Sequence, residues 1–169
     1  MQRIAIILRY LRYYFSAKSR HQIRSPFVQQ FAARVLDDRR QYYAFSDIEV
    51  LRKLLLRDSS DIKVTDYGAG SQVDAHKTRK IKSITRYSAT SPFFCRELFR
   101  LINLYKPDTL LELGTSMGIS TMYQQAAAQN ARFVTIEGCP HVAEMAQQNF
   151  RRLQVENEIE LVNGRFNEV

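Results

Sequence analysis

The sequence predicts an α/β fold: a three-stranded part of a doubly wound parallel sheet, preceded by a mainly helical, basic N-terminal region. Three observations carry this expectation. From residue 109 onward, apolar runs of strand length alternate with amphipathic helical stretches, an order that implies parallel strands and right-handed crossovers. A glycine turn, Gly114 to Gly118, separates the first strand of that series from its first helix. Before residue 100, helix-start signals and 3.6-residue apolar spacing recur instead.

In chain order, Ile4, Ile7, Leu8, Leu11 and Phe15 fall at helical spacing among Arg3, Arg9 and Arg12, with tyrosines at 10, 13 and 14. This is an amphipathic basic helix over residues 2–15, suited to packing on its own domain, to an anionic membrane or to nucleic acid. Ser25-Pro26 is a helix start, serine as cap and proline in the first turn, with Phe27, Phe31 and Val35 following on one face. Ser46-Asp47-Ile48-Glu49 reads as a capping box opening a helix through Leu51, Leu54 and Leu55. Ser91-Pro92 repeats the earlier start, and Lys106-Pro107-Asp108 ends that helix.

The second half reads strand Leu110–Leu113, helix Ile119–Gln129, strand Arg132–Ile136, a helix from Pro140 to Leu153, and strand Ile159–Val162. Three strands make half of a doubly wound sheet. The expectation is a truncated chain, or else a partner over the open strand edge, a second copy of the chain included, because an unpaired parallel edge is a liability.

Composition sets the class. Apolar residues at 45% and charged residues at 25% are those of a globular protein. Residues 1–100 hold 20 Lys and Arg against 9 Asp and Glu, whereas residues 101–169 hold 5 against 8. A basic arm on a near-neutral domain predicts an anionic partner, whether nucleic acid, a membrane face or an acidic substrate, unless it is simply a solvated surface. Cys95 and Cys139 stand far apart, without metal-ligand spacing, which argues against a disulfide framework or a zinc site and suits a reducing cytoplasm. No apolar stretch is long enough for a transmembrane helix.

The candidate site follows from the glycine turn. Glu112 lies inside the first strand, and Glu137 stands at the tip of the next. Strand, glycine turn against a helix N-terminus, then an acid at the neighbouring strand's tip is how doubly wound folds hold an adenosine. The glycines let backbone approach the ligand and the acid takes the ribose hydroxyls. The spacing Gly114-x-x-x-Gly118 is not the dinucleotide pattern, and the lesser alternative is that the glycines only shape turns. A second glycine run, Asp66-Tyr67-Gly68-Ala69-Gly70-Ser71, lacks a following apolar helix and reads as a loop or hairpin turn. Its functional alternative is a lid, with Lys77, Arg79, Lys80 and Lys82 meeting an anionic substrate.

Glu112-Leu113-Gly114-Thr115-Ser116-Met117-Gly118-Ile119-Ser120-Thr121 resembles the first cofactor motif of class I S-adenosylmethionine-dependent methyltransferases. The variant is that of small-molecule O-methyltransferases of the catechol and caffeoyl-CoA type. Val134 to Pro140 resembles their second motif, and Ile159 to Gly164 their third strand. The resemblance covers residues 84–169 and implies a Rossmann-like methyltransferase domain there, behind a basic, mainly helical region over 1–83 with its glycine loop at 66–71. It implies S-adenosylmethionine as cofactor and a small-molecule methyl acceptor. Gly114, Thr115, Ser116 and Gly118 would cradle the methionine moiety and ribose, with Glu112 beneath, near the amino group. Glu137 would chelate the ribose hydroxyls, Gly138 and Cys139 would flank the adenine, and Gly164, Arg165 and Phe166 would close its other side. Catalytic bases and metal ligands of such enzymes come from the fourth strand onward, so the resemblance carries over neither. The rival expectation is a non-catalytic basic module that binds nucleic acid or a membrane surface on a half-Rossmann scaffold.

Overall fold

The computed structural model describes residues 2–17, 24–65 and 76–168; the 66–71 glycine loop lies outside them. The chain divides into two compact units, Met1–Asp38 and Arg39–Val169. The first consists of helix α1 (Gln2–Ser16) and helix α2 (Pro26–Phe31), which runs into a π-helical turn over Ala32–Leu36. Ser25 caps α2 as its sequence predicts, its side chain accepting from the Val28 amide.

The second unit begins with α3 (Ala44–Arg57), a two-stranded antiparallel sheet of β1 (Asp61–Thr65) and β2 (His76–Lys80), and α4 (Ile81–Tyr87). Then α5 (Pro92–Tyr105), β3 (Thr109–Leu113), α6 (Ile119–Ala127), β4 (Arg132–Glu137), α7 (Pro140–Arg152) and β5 (Glu160–Asn163) follow in the predicted alternation. The strands form one parallel sheet in the order β3-β4-β5. The fold is thus the expected three-stranded Rossmann-like sheet behind a largely helical N-terminal region.

The antiparallel β1–β2 pair stands on either side of the glycine run, within the otherwise helical N-terminal region. One local expectation changes. The capping box at Ser46 does not form, since α3 starts at Ala44 with Tyr43 at its N-cap and no side-chain cap. Aromatic packing sets that start. The Phe45 ring lies 4.9 Å from Phe99 and 5.1 Å from Tyr123, and Tyr42 lies 4.6 Å from Phe99. Such pairs add about 0.5–1.5 kcal/mol each beyond the area they bury, comparable to the roughly 1 kcal/mol of a cap. This cluster joins α3, α5 and α6.

Alternation along β3 and β4 puts Leu110, Glu112, Phe133 and Thr135 on one face, where Phe133 and Thr135 are buried, Phe133 within the main core. The opposite face carries Leu111 and Leu113, both exposed. Glu112 faces Thr135 across the ladder, and Glu137 faces Asn163. That register brings the tips of all three strands to one end of the sheet.

Candidate functional site

The turn after β3 is held in a conformation that needs glycine. Gly114 has φ +94° and Gly118 has φ +76°, and Ser116 between them sits at φ +49°. A side chain costs most at Gly118, because a Cβ there would come 2.5 Å from the Phe150 ring of α7. At Gly114 the same Cβ would project into open space. The Gly114 amide donates to the Ile136 carbonyl at 2.8 Å, which ties the turn to the end of β4.

Glu112 organises this turn from below. One carboxylate oxygen accepts from Ser120 Oγ and Gln124 Nε2, each at 2.7 Å; the other accepts from Thr121 Oγ1 and, at 2.9 Å, Thr135 Oγ1. A carboxylate offers about four acceptor sites, and the protein's own donors fill them. Thr135 spends its proton on Glu112, so the 2.7 Å bond between Thr115 and Thr135 has Thr115 as donor. Both threonines are buried.

Glu137 is arranged differently. Its Oε2 accepts from the Ser116 amide at 2.8 Å and its Oε1 from the Cys139 amide at 3.0 Å. Among the described residues each oxygen takes one backbone N–H, which leaves each with further acceptor capacity. Beyond it, Asn163 Nδ2 donates to the carbonyls of Glu137 (2.7 Å) and Gly138 (3.2 Å), and the Gly164 amide donates to the Glu137 carbonyl at 3.1 Å.

A small cleft opens beside this arrangement, lined by Ser88 to Thr90 and by the Gly114–Ser120 turn. Ser116 Oγ is buried and has no hydrogen-bond partner among the described residues. The Thr90 carbonyl is fixed by Arg52 Nη1 at 2.8 Å, and Arg52 in turn pairs with Glu49 at 3.0 Å. Glu49 also accepts from the Tyr123 hydroxyl at 2.9 Å. Burial, and then this hydrogen bond to Glu49, push the Tyr123 phenol well above its ordinary range.

The structure therefore brings Glu112, Gly114, Thr115, Ser116, Gly118, Glu137, Gly138, Cys139 and Gly164 together around the strand tips. The Cys139 side chain turns the other way, its sulfur accepting from the Thr65 amide at 3.2 Å, so Cys139 meets the site through its backbone. Arg165 reaches Glu168 at 3.3 Å, and Phe166 stands exposed beyond Gly164. Sequence reasoning missed Asn163, the Ser88–Thr90 segment and the donors to Glu112. The last had a signal: Ser120, Thr121 and Gln124 are polar residues at one-residue and three-residue steps, on one side of α6. Among the described residues, no group of three His, Cys, Asp or Glu could hold a metal ion.

No family model matches the sequence, and no curated protein does. Solved structures do match. The SAH-bound methyltransferase PaMTH1 of Podospora anserina is 13% identical, with a TM-score of 0.54 over 86% of this chain and 52% of that one. The O-methyltransferase from Bacillus cereus in complex with SAH is 18% identical, with a TM-score of 0.47 over 82% and 50%. The O-methyltransferase TomG of Streptomyces achromogenes, in complex with SAM, is 20% identical, with a TM-score of 0.46 over 83% and 52%. The chain spans about half the length of each. At 13% identity the likeness to PaMTH1 is one of fold, a Rossmann-like one.

Proposed function

We propose that this chain binds S-adenosylmethionine across the tips of β3, β4 and β5 and serves methyl transfer to a small-molecule oxygen. Residues 84–169 form the cofactor-binding portion. The observation that carries the reading is Glu137, whose two oxygens each hold one backbone amide and each keep a free acceptor site, a match for the two hydroxyls of a ribose.

The surrounding residues fit the same group. Gly114 leaves open space where a side chain would stand, and buried Ser116 Oγ has no partner among the described residues. Gly114, Thr115, Ser116 and Gly118 hold the methionine and ribose portions. Glu112 acts from beneath by fixing the turn, its own acceptor sites being filled by Ser120, Thr121, Gln124 and Thr135. Gly138 and the Cys139 backbone flank the adenine, and Gly164, Arg165 and Phe166 close its other side. When bound, the cofactor supplies an electrophilic methyl on a sulfonium, and the protein's part is to hold it in line with the acceptor. The fold shared with an SAH-bound methyltransferase supports the choice of cofactor. Two free, buried cysteines suit a reducing cytoplasm.

Calorimetric titration with S-adenosylmethionine and S-adenosylhomocysteine tests this. Micromolar binding is expected. Two hydrogen bonds to a carboxylate contribute about 1.5–3 kcal/mol each, so Glu137→Ala should weaken affinity by at least about a hundredfold. Unchanged affinity in a variant with native circular dichroism would place the pocket elsewhere.

A further inference from the structure

Helix α1 holds large apolar side chains in solvent along its whole length. Ile4, Ile7, Leu8, Leu11 and Phe15 share one face, and all are 43–82% exposed. At about 100° per residue these five span an arc of roughly 100°, with Arg12 bordering it and Arg9 across the helix beside Ile6 and Tyr13, which are also exposed. Tyr10 and Tyr14 stand along one border, their rings 6.4 Å apart and both exposed. A contiguous apolar stripe of this kind marks an interaction surface.

Charge says what meets it. Residues 1–36 contain seven Lys and Arg and no Asp or Glu. A second copy of the same helix would bring like charges together without an acid to pair them. A nucleic acid would satisfy the arginines but leave five apolar side chains in water. An anionic bilayer accommodates both: the apolar face enters the acyl boundary, arginines reach headgroup phosphates, and tyrosines sit at the interface. Fifteen residues of helix extend about 22 Å, short of the roughly 30 Å hydrocarbon core, and no helix among the described residues is long and apolar enough to cross a membrane. We propose that α1 lies in the headgroup plane of anionic phospholipid bilayers and docks the protein there reversibly.

The test is co-sedimentation of the full chain with phosphatidylcholine vesicles, with and without added phosphatidylglycerol, at rising salt. Binding should require the anionic lipid and fall with salt. Leu11→Asp, at an exposed position that leaves the fold alone, should abolish it, and Arg9→Gln and Arg12→Gln should each weaken it about fivefold. Circular dichroism of each variant separates loss of the surface from loss of the helix. Equal binding to neutral vesicles, no binding at all, or binding that survives Leu11→Asp would overturn the proposal. So would tighter binding to duplex RNA that Leu11→Asp leaves unchanged.

Discussion

Replacing Gly118 with alanine probes both reasons for the glycine at once. A side chain at φ +76° costs about 1–2 kcal/mol from clash with its own backbone. The added Cβ would also stand 2.5 Å from Phe150 Cε1 and 3.0 Å from Cζ, in a ring that is fully buried. Overpacking of this kind costs about 1–3 kcal/mol, so Gly118→Ala should lose roughly 2–5 kcal/mol in urea unfolding followed by circular dichroism. Gly114→Ala is the control, because its Cβ meets nothing within 4 Å. It should lose only the backbone cost, yet interfere with cofactor. The clash is isolated by a double-mutant cycle with Phe150→Leu, which removes the ring atoms nearest the new methyl. In that background Gly118→Ala should cost about 1–3 kcal/mol less than alone. A Gly118→Ala loss below about 0.5 kcal/mol, or zero coupling to Phe150, would refute the reasoning.

Other expectations concern the polar core beneath the cleft. Arg52→Met removes bonds to Glu49, the Thr90 carbonyl and Cys95 and leaves Glu49 largely buried without its cation, which should cost about 3–5 kcal/mol. Adding Glu49→Gln should recover part of that loss, and no recovery would mean that the pair is not the reason. The raised pKa of Tyr123 means that the folded state holds its proton more tightly than the unfolded chain does. Its contribution is therefore complete below about pH 10 and should fall by about 1.4 kcal/mol per pH unit above it, a slope that Tyr123→Phe lacks in alkaline unfolding curves. Burial also pushes the Cys95 thiol up, and both cysteines are closed to solvent. A thiol reagent should label neither in native protein and both in denaturant; rapid native labelling of Cys95 would contradict its packing.

The parallel half of the fold was legible because its strands and helices bury continuous apolar patterns, and because Pro92 and Pro140 mark helix starts that the structure keeps. Strand β2 was not legible. His76-Lys77-Thr78-Arg79-Lys80 has no apolar alternation, and its conformation comes from main-chain pairing with β1. The capping box failed for the opposite reason, a correct local signal overridden by the packing of Phe45. In the site, the left-handed positions at 114 and 118 announced themselves as glycine, but Ser116, equally left-handed, gave no such sign. The four bonds on Glu112 join residues 8 to 23 positions apart, and only the folded sheet brings Thr135 to the far oxygen. The sequence offers Glu49 as the acid of a capping box; the structure instead pairs it with Arg52, which also holds the Thr90 carbonyl.

The row of hydroxyls from Thr115 through Thr135 to Glu112 has a direction. With a carboxylate at its end, every hydrogen in the row must point toward position 112, because a carboxylate can only accept. One arrangement of protons is thereby selected, and the Thr115 oxygen keeps its lone pairs for other donors. An amide at 112 could donate to Thr135 and reverse the row, so that two arrangements would coexist and the turn above would see two electrostatic patterns in place of one. The acid inside β3 thus sets a polarity as well as a position.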